Sequence, residues 1–134
     1  MSDRKYVVLV VEDEKPLLEA IRLKLEKMNF GVVEARTIEE AKDCMLNLDK
    51  IDVVWLDHYL IGKGNGLDFI AWCKDENNMK YREVPIFVVS NTASPDKIET
   101  YMNLGASKYF IKSNNKLEDI INEISKTLLL GESK

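Results

Sequence analysis

Apolar residues along the chain follow two alternating periods. Short, mainly apolar runs fall at residues 6–11, 31–35, 51–56, 84–89 and 107–111, each about the length of a strand. After each run comes a segment whose apolar positions lie three or four apart: Leu17, Leu18, Ile21, Leu25 and Met28; Ile38, Ala41, Met45 and Leu48; Leu67, Ile70 and Ala71; Ile98, Tyr101 and Met102; Leu117, Ile120, Ile121, Ile124 and Leu128. That spacing gives each of five helices one apolar stripe. Five strands alternating strictly with five helices require parallel pairing through right-handed crossovers, which covers both faces of the sheet. The expected architecture is a doubly wound α/β domain. VVLVV and VVWL are apolar at consecutive positions and suit central strands, whereas GVVEA and SKYFI carry polar residues and suit the edges.

Helix boundaries are marked as well. Thr37 with Glu40 three residues on fits a capping box, and Ser94 followed by Pro95 fits an N-cap with proline at the first helical position. Gly31 and Gly105 follow helical segments where a left-handed turn favours glycine.

Composition narrows the function classes. A chain of 134 residues, 46% hydrophobic and 31% charged, is expected to form a single domain, residues 1–134, around one core region at about 5–130. Its 19 basic and 23 acidic residues are mixed along the chain and leave a net charge of −4, which argues against nucleic-acid binding through a basic face. Cys44 and Cys73 lie in helical segments and read as reduced core thiols. No stretch approaches the roughly 20 apolar residues of a membrane span, and the N-terminus lacks a signal-peptide pattern. A cytoplasmic location with no membrane association is expected. The Trp55 and Trp72 rings are expected in the core.

Ligands of open α/β sheets bind outside the carboxyl ends of the strands. Glu12 and Asp13 follow the first run, Asp57 follows the third, Ser90 ends the fourth and Lys112 follows the fifth. A phosphate-binding loop after the first strand would be glycine-rich, yet no glycine precedes Gly31. Three carboxylates brought together instead call for a shared hard cation, and oxygen-only donors suit Mg2+. A lysine and a hydroxyl facing that ion suit a phosphoryl group, with Asp57 either a further ligand or the nucleophile that forms an acyl phosphate. His58 reads as a loop or half-buried side chain rather than a metal ligand.

With an aromatic, Tyr109, three residues before Lys112, these five positions resemble the receiver domain of bacterial two-component response regulators over roughly residues 5–130. The resemblance implies a flavodoxin-like (βα)5 fold with strand order 2-1-3-4-5. It implies that Asp57 accepts phosphate from a histidine kinase or histidine phosphotransfer protein. Mg2+ would be held by Asp13, Asp57 and the backbone carbonyl of Tyr59, with Glu12 acting largely through water. Ser90 would hydrogen-bond the phosphoryl group, Lys112 would pair with its charge, and Tyr109 would turn inward as Ser90 moves. The domain would be a signalling device that assists its own phosphorylation and dephosphorylation rather than an enzyme.

The absence of an output domain after residue 130 leads to the expectation of a stand-alone receiver that signals through changed protein contacts. The expected surface is formed by the fourth helix, fifth strand and fifth helix, where Tyr101, Tyr109 and the apolar LLL at 128–130 fall; it would bind a target or a second copy. Two departures stand out. Ser113 replaces the proline that usually follows the lysine, and the loop HYLIGKGNG lacks its common proline and carries Gly62, Gly64 and Gly66. The alternatives are a receiver-like interaction module that is never phosphorylated and an aspartate-nucleophile phosphohydrolase; the latter wants a second acid where Tyr59 stands.

Overall fold

The computed structural model describes residues 5–48, 50–60, 64–91 and 94–132. Within them the apolar runs form five parallel strands, β1 (Val7–Val11), β2 (Gly31–Ala35), β3 (Val53–Leu56), β4 (Ile86–Ser90) and β5 (Lys108–Ile111), ordered β2-β1-β3-β4-β5. Five α-helices complete the alternation: α1 (Lys15–Lys27), α2 (Ile38–Asn47), α3 (Gly66–Lys74), α4 (Pro95–Leu104) and α5 (Leu117–Glu132). This is the (βα)5 order expected, with β2 and β5 at the edges.

Side chains alternate across a strand, so each central strand feeds two cores. Leu9, Val11, Val54, Leu56, Ile86 and Val88 pack under α2, α3 and α4, whose Met45, Phe69, Ile70 and Tyr101 lie in the same cluster. Val8, Val10, Val53, Trp55, Phe87 and Val89 face the other way, against Leu18, Ile21 and Leu25 of α1 and Ile120, Ile121 and Ile124 of α5. Trp55 is buried and Trp72 is half-buried, stacked between Phe69 and Tyr81. Cys44 and Cys73 are free.

Several boundaries differ from the sequence expectation. Gly31 does not close α1; it opens β2, and the left-handed position is taken two residues earlier by Asn29, at φ 70°. Asparagine tolerates that conformation because its short polar side chain can bond locally. Gly105 does cap α4, at φ 112°. Thr37 Oγ1 accepts from Glu40 N at 3.0 Å, but the Glu40 carboxylate accepts from Arg36 N at 2.7 Å, one residue short of closing the box on Thr37 itself. The closed box lies at α3, where Asn65 Oδ1 accepts from Leu67 N and Asp68 N while Asp68 Oδ2 accepts from Asn65 N at 2.8 Å.

β4 begins at Ile86 rather than 84, because Val84 N donates to Tyr81 O and Pro85 has no N–H to offer. The polar segment before it holds a 3-10 turn at Glu76–Tyr81, pinned by the Tyr81 ring on Trp72 (5.3 Å) and by Asn78 Nδ2 on Trp72 O (2.7 Å). Gly62 lies outside the described residues, as does the side chain of Leu130.

The Asn65 box fixes where the loop after β3 ends and α3 starts. Asn65→Ala removes the acceptor of two helix N–H groups and is expected to cost about 1 kcal/mol, read as a lower urea midpoint at unchanged slope. An unaltered midpoint would mean that the cap contributes nothing to stability.

Candidate functional site

β1 and β3 pair in register, with Val11 opposite Leu56, and the ladder continues one step further through Asp57 N donating to Val11 O at 3.0 Å. The residues that follow the two strands therefore end level. Ligand oxygens of Glu12, Asp13 and Asp57 all lie within 4.8 Å of one another. Glu12 and Asp57 are buried, at 1% and 5% exposure, and Asp13 is half-buried.

The Glu12 and Asp57 carboxylates and the main chain at Asp13 are held by their surroundings. Glu12 Oε2 accepts from Glu14 N at 3.1 Å and its Oε1 accepts from Lys112 Nζ at 3.1 Å. Lys112, delivered by the end of β5, also stands 3.5 Å from Asp57 Oδ2. Asp57 Oδ1 accepts from His58 N at 2.8 Å. Arg36, from the turn after β2, donates from Nη2 (2.9 Å) and Nε (3.3 Å) to the backbone carbonyl of Asp13. Ser90, fully buried at the end of β4, shares a hydrogen bond with the half-buried phenol of Tyr109.

The electrostatics show a site short of positive charge. Burial pushes the Asp57 carboxyl up to about 6, and the Glu12 charge adds to the rise; Lys112 and the His58 amide oppose it without cancelling it. Lys112 meets the reverse balance. Burial disfavours its ammonium, but Asp57 and Glu12 outweigh that and hold its pKa above the ordinary lysine value. One ammonium cannot neutralise three acids, and the all-oxygen donor set suits a hard divalent ion such as Mg2+.

The structure thus brings Glu12, Asp13, Asp57 and Lys112 together, with Ser90 and Tyr109 joined to each other at the ends of β4 and β5. Tyr59 points its ring outward at 56% exposure, edge-on to His58 at 4.4 Å, with Lys97 Nζ 3.3 Å from its hydroxyl. Asn91 is exposed and lines, with Lys112 and Trp55, a cleft of about 570 Å3 between α1 and α5. No cis peptide occurs among the described residues, so Lys112–Ser113 is trans and leads into a 3-10 turn, closed by Asn115 Nδ2 on Ile111 O at 3.0 Å.

Two expectations need correction. His58 lies in the loop after β3, as expected, but its side chain is buried, at 2% exposure, rather than half-buried. Tyr101 is not on the outer face of α4: it is fully buried and hydrogen-bonded to His58. Arg36 was missed by sequence reasoning, since nothing local marks a charged residue after β2 as a clamp on a backbone atom 23 positions away.

Comparisons with known proteins agree with the fold. Residues 8–125 match the family model of the response regulator receiver domain. The phosphate regulon transcriptional regulatory protein PhoB of Escherichia coli is 32% identical over 105 residues, 78% of this chain and 44% of PhoB, so the chain spans less than half the length of that relative. A chemotaxis protein CheY homolog of Campylobacter jejuni is 26% identical over 85% of this chain and 91% of its own. A solved CheY-like receiver domain protein from Methanospirillum hungatei superposes with a TM-score of 0.84 at 21% identity, covering 97% of this chain and 98% of its own.

The raised Asp57 pKa has a signed consequence for stability. Its carboxyl binds a proton more tightly folded, at about 6, than at the ordinary 3.8 of an unfolded chain. In metal-free protein its contribution is therefore favourable only at low pH: stability falls as pH rises from about 4 to 6, and the full cost is present above that window. Asp57→Asn is expected to stabilise the metal-free protein by about 2 to 3 kcal/mol at pH 7.5, with the gain vanishing near pH 4. Thermal melts in chelator at both pH values measure it; equal differences at the two would show that the carboxylate is not strained.

Proposed function

The chain belongs to the response regulator receiver domain family, and from that premise we propose that Asp57 is the phosphoacceptor and that the phosphoryl group arrives from a phosphohistidine on a histidine kinase or phosphotransfer protein. The convergence of three carboxylates on one strand edge, with Lys112 Nζ 3.5 Å from Asp57 Oδ2, carries this reading. A buried anion held against an ammonium is poised to attack an electrophile whose own charge needs neutralising.

Glu12, Asp13, Asp57 and the backbone carbonyl of Tyr59 would hold Mg2+, with Glu12 largely through water; when bound, the ion neutralises phosphoryl oxygens and so lowers the charge barrier to attack. The Asp57 carboxylate oxygen attacks phosphorus in line, forming an O–P bond as the P–N bond to the donor imidazole breaks. The imidazole leaves with the bonding electron pair. Lys112, already charged, pairs with the phosphoryl group in place of Asp57, and the Ser90 hydroxyl donates to one of its oxygens. Drawing Ser90 toward the phosphoryl group disturbs its bond to Tyr109, and this couples the chemistry to β5.

The domain then signals through α4, β5 and α5, the elements that carry Tyr109 and the exposed Met102 and Leu129. A target protein or a second copy would read that face. We place the protein in the cytoplasm, in keeping with the lack of any described helix long and apolar enough to cross a membrane. Its role is signalling, with self-catalysed gain and loss of phosphate rather than turnover of a substrate.

Incubation with acetyl phosphate and Mg2+ is expected to add about 80 Da by intact mass, and Asp57→Asn to abolish the adduct with the fold retained. An adduct on the variant at the wild-type rate would remove Asp57 as acceptor. Asp13→Asn is expected to weaken Mg2+ binding at least tenfold, about 1.4 kcal/mol, followed by Trp55 emission in a Trp72→Phe background. Unchanged affinity would take Asp13 out of the ligand set.

The lifetime of the adduct tests the surroundings of the site. Hydrolysis needs a water in line with the Asp57–phosphorus bond, and Tyr59, held beside His58 and Lys97 just after β3, and Asn91, just after β4, would flank that approach. Tyr59→Asn and Asn91→Ala are each expected to shorten the lifetime, up to about tenfold, once phosphodonor is removed. Slower decay in Asn91→Ala would instead show that its amide orients the water.

A further inference from the structure

Residue 58 is fastened at three points. Its N–H donates to Asp57 Oδ1 at 2.8 Å, its carbonyl accepts from Gly66 N at 3.1 Å, and its ring Nδ1 lies 2.6 Å from Tyr101 OH. The ring bond is buried at both ends, with His58 at 2% and Tyr101 at 0% exposure. Burial keeps the imidazole neutral and the phenol protonated, so the two share a hydrogen as uncharged partners. The fit around them is close. A Cβ on Gly66 would collide with the Tyr101 hydroxyl and approach Asp57 O to 2.9 Å and His58 Cα to 3.2 Å. Thus α3 begins with a residue that leaves the phenol room to lie against the backbone of residues 57 and 58.

A pair of buried polar groups gains little net stability over apolar residues of the same shape, yet each is costly if its partner is lost. What such a pair does supply is a fixed geometry. Here the ring held by Tyr101 and the backbone amide that holds the Asp57 carboxylate belong to the same residue, so fixing the ring restrains the amide. In-line attack is sensitive to this, since a misplacement of about 1 Å in a reacting group costs about a hundredfold in rate.

We propose that Tyr101 of α4 is a positioning residue for phosphoryl acceptance: its buried hydrogen bond to His58 fixes the backbone amide that aims the Asp57 carboxylate. This rests on the reading of Asp57 as acceptor. It adds a link between α4 and the nucleophile that does not pass through Ser90 or Tyr109.

Tyr101→Phe keeps the ring and deletes only the hydroxyl. In that variant hydrogen exchange of the His58 amide is expected to quicken about tenfold and adduct formation with acetyl phosphate and Mg2+ to slow about tenfold, with the circular dichroism of the wild type. His58→Leu is expected to behave the same way. The Tyr101→Phe, His58→Leu double variant is expected to be no slower than the worse single one, since both break one interaction. His58→Asn, whose amide can reach the position of Nδ1, is expected to restore protection and rate while Tyr101 is intact. Unchanged exchange and rate in Tyr101→Phe, or multiplying losses in the double variant, would overturn the proposal. Should the wild type form no adduct, the acceptor reading fails by itself, and His58 amide exchange alone decides whether Tyr101 positions that residue.

Discussion

Pairing β1 with β3 in parallel, Val11 beside Leu56, obliges the acids that follow the two strands to stop at the same height. Glu12 and Asp57 are thereby forced together at the rim of an apolar sheet, with water largely withdrawn from both. Like charges in that setting repel strongly, and the rest of the site can be understood as what holds them there. Lys112 is brought across from β5 to stand between them, Arg36 clamps the main chain at Asp13, and the amides of Glu14 and His58 each occupy a carboxylate oxygen. The remaining deficit of positive charge is what suits the rim to a divalent cation.

Much of this was legible in the sequence because it depends on period and order. Alternating strand-length and helix-spaced segments determine a doubly wound sheet, and the residues just past its strands must share one edge, so Glu12, Asp13, Asp57, Ser90 and Lys112 could be collected without coordinates. Valine runs identified the central strands, since only a strand covered on both faces can be apolar at successive positions.

What escaped is physically different in kind. Gly31 and Asn29 compete for one left-handed position, and composition favours the glycine although the chain turns two residues earlier. His58 sits in a polar stretch that reads as loop, and its burial depends on a tyrosine 43 positions away. Tyr101 fits the apolar stripe of α4, but a ring with a polar tip suits a surface as well as a core, and nothing in the spacing shows what its hydroxyl meets. Arg36 acts on a carbonyl, an atom every residue has, and leaves no signature in residue type.

The absent side chain at Gly66 ties together three positions that are remote in the chain. Any larger residue there would have to displace the Tyr101 hydroxyl, and a shortened residue at 101 would orphan the buried nitrogen of His58. Positions 58, 66 and 101 are therefore coupled by geometry, so that a change at one bears on the other two. A histidine, a glycine and a tyrosine make one workable set, a different combination could make another, and single exchanges between the two would pass through a defective intermediate. Among descendants of this chain the three should be inherited as a block and replaced as a block.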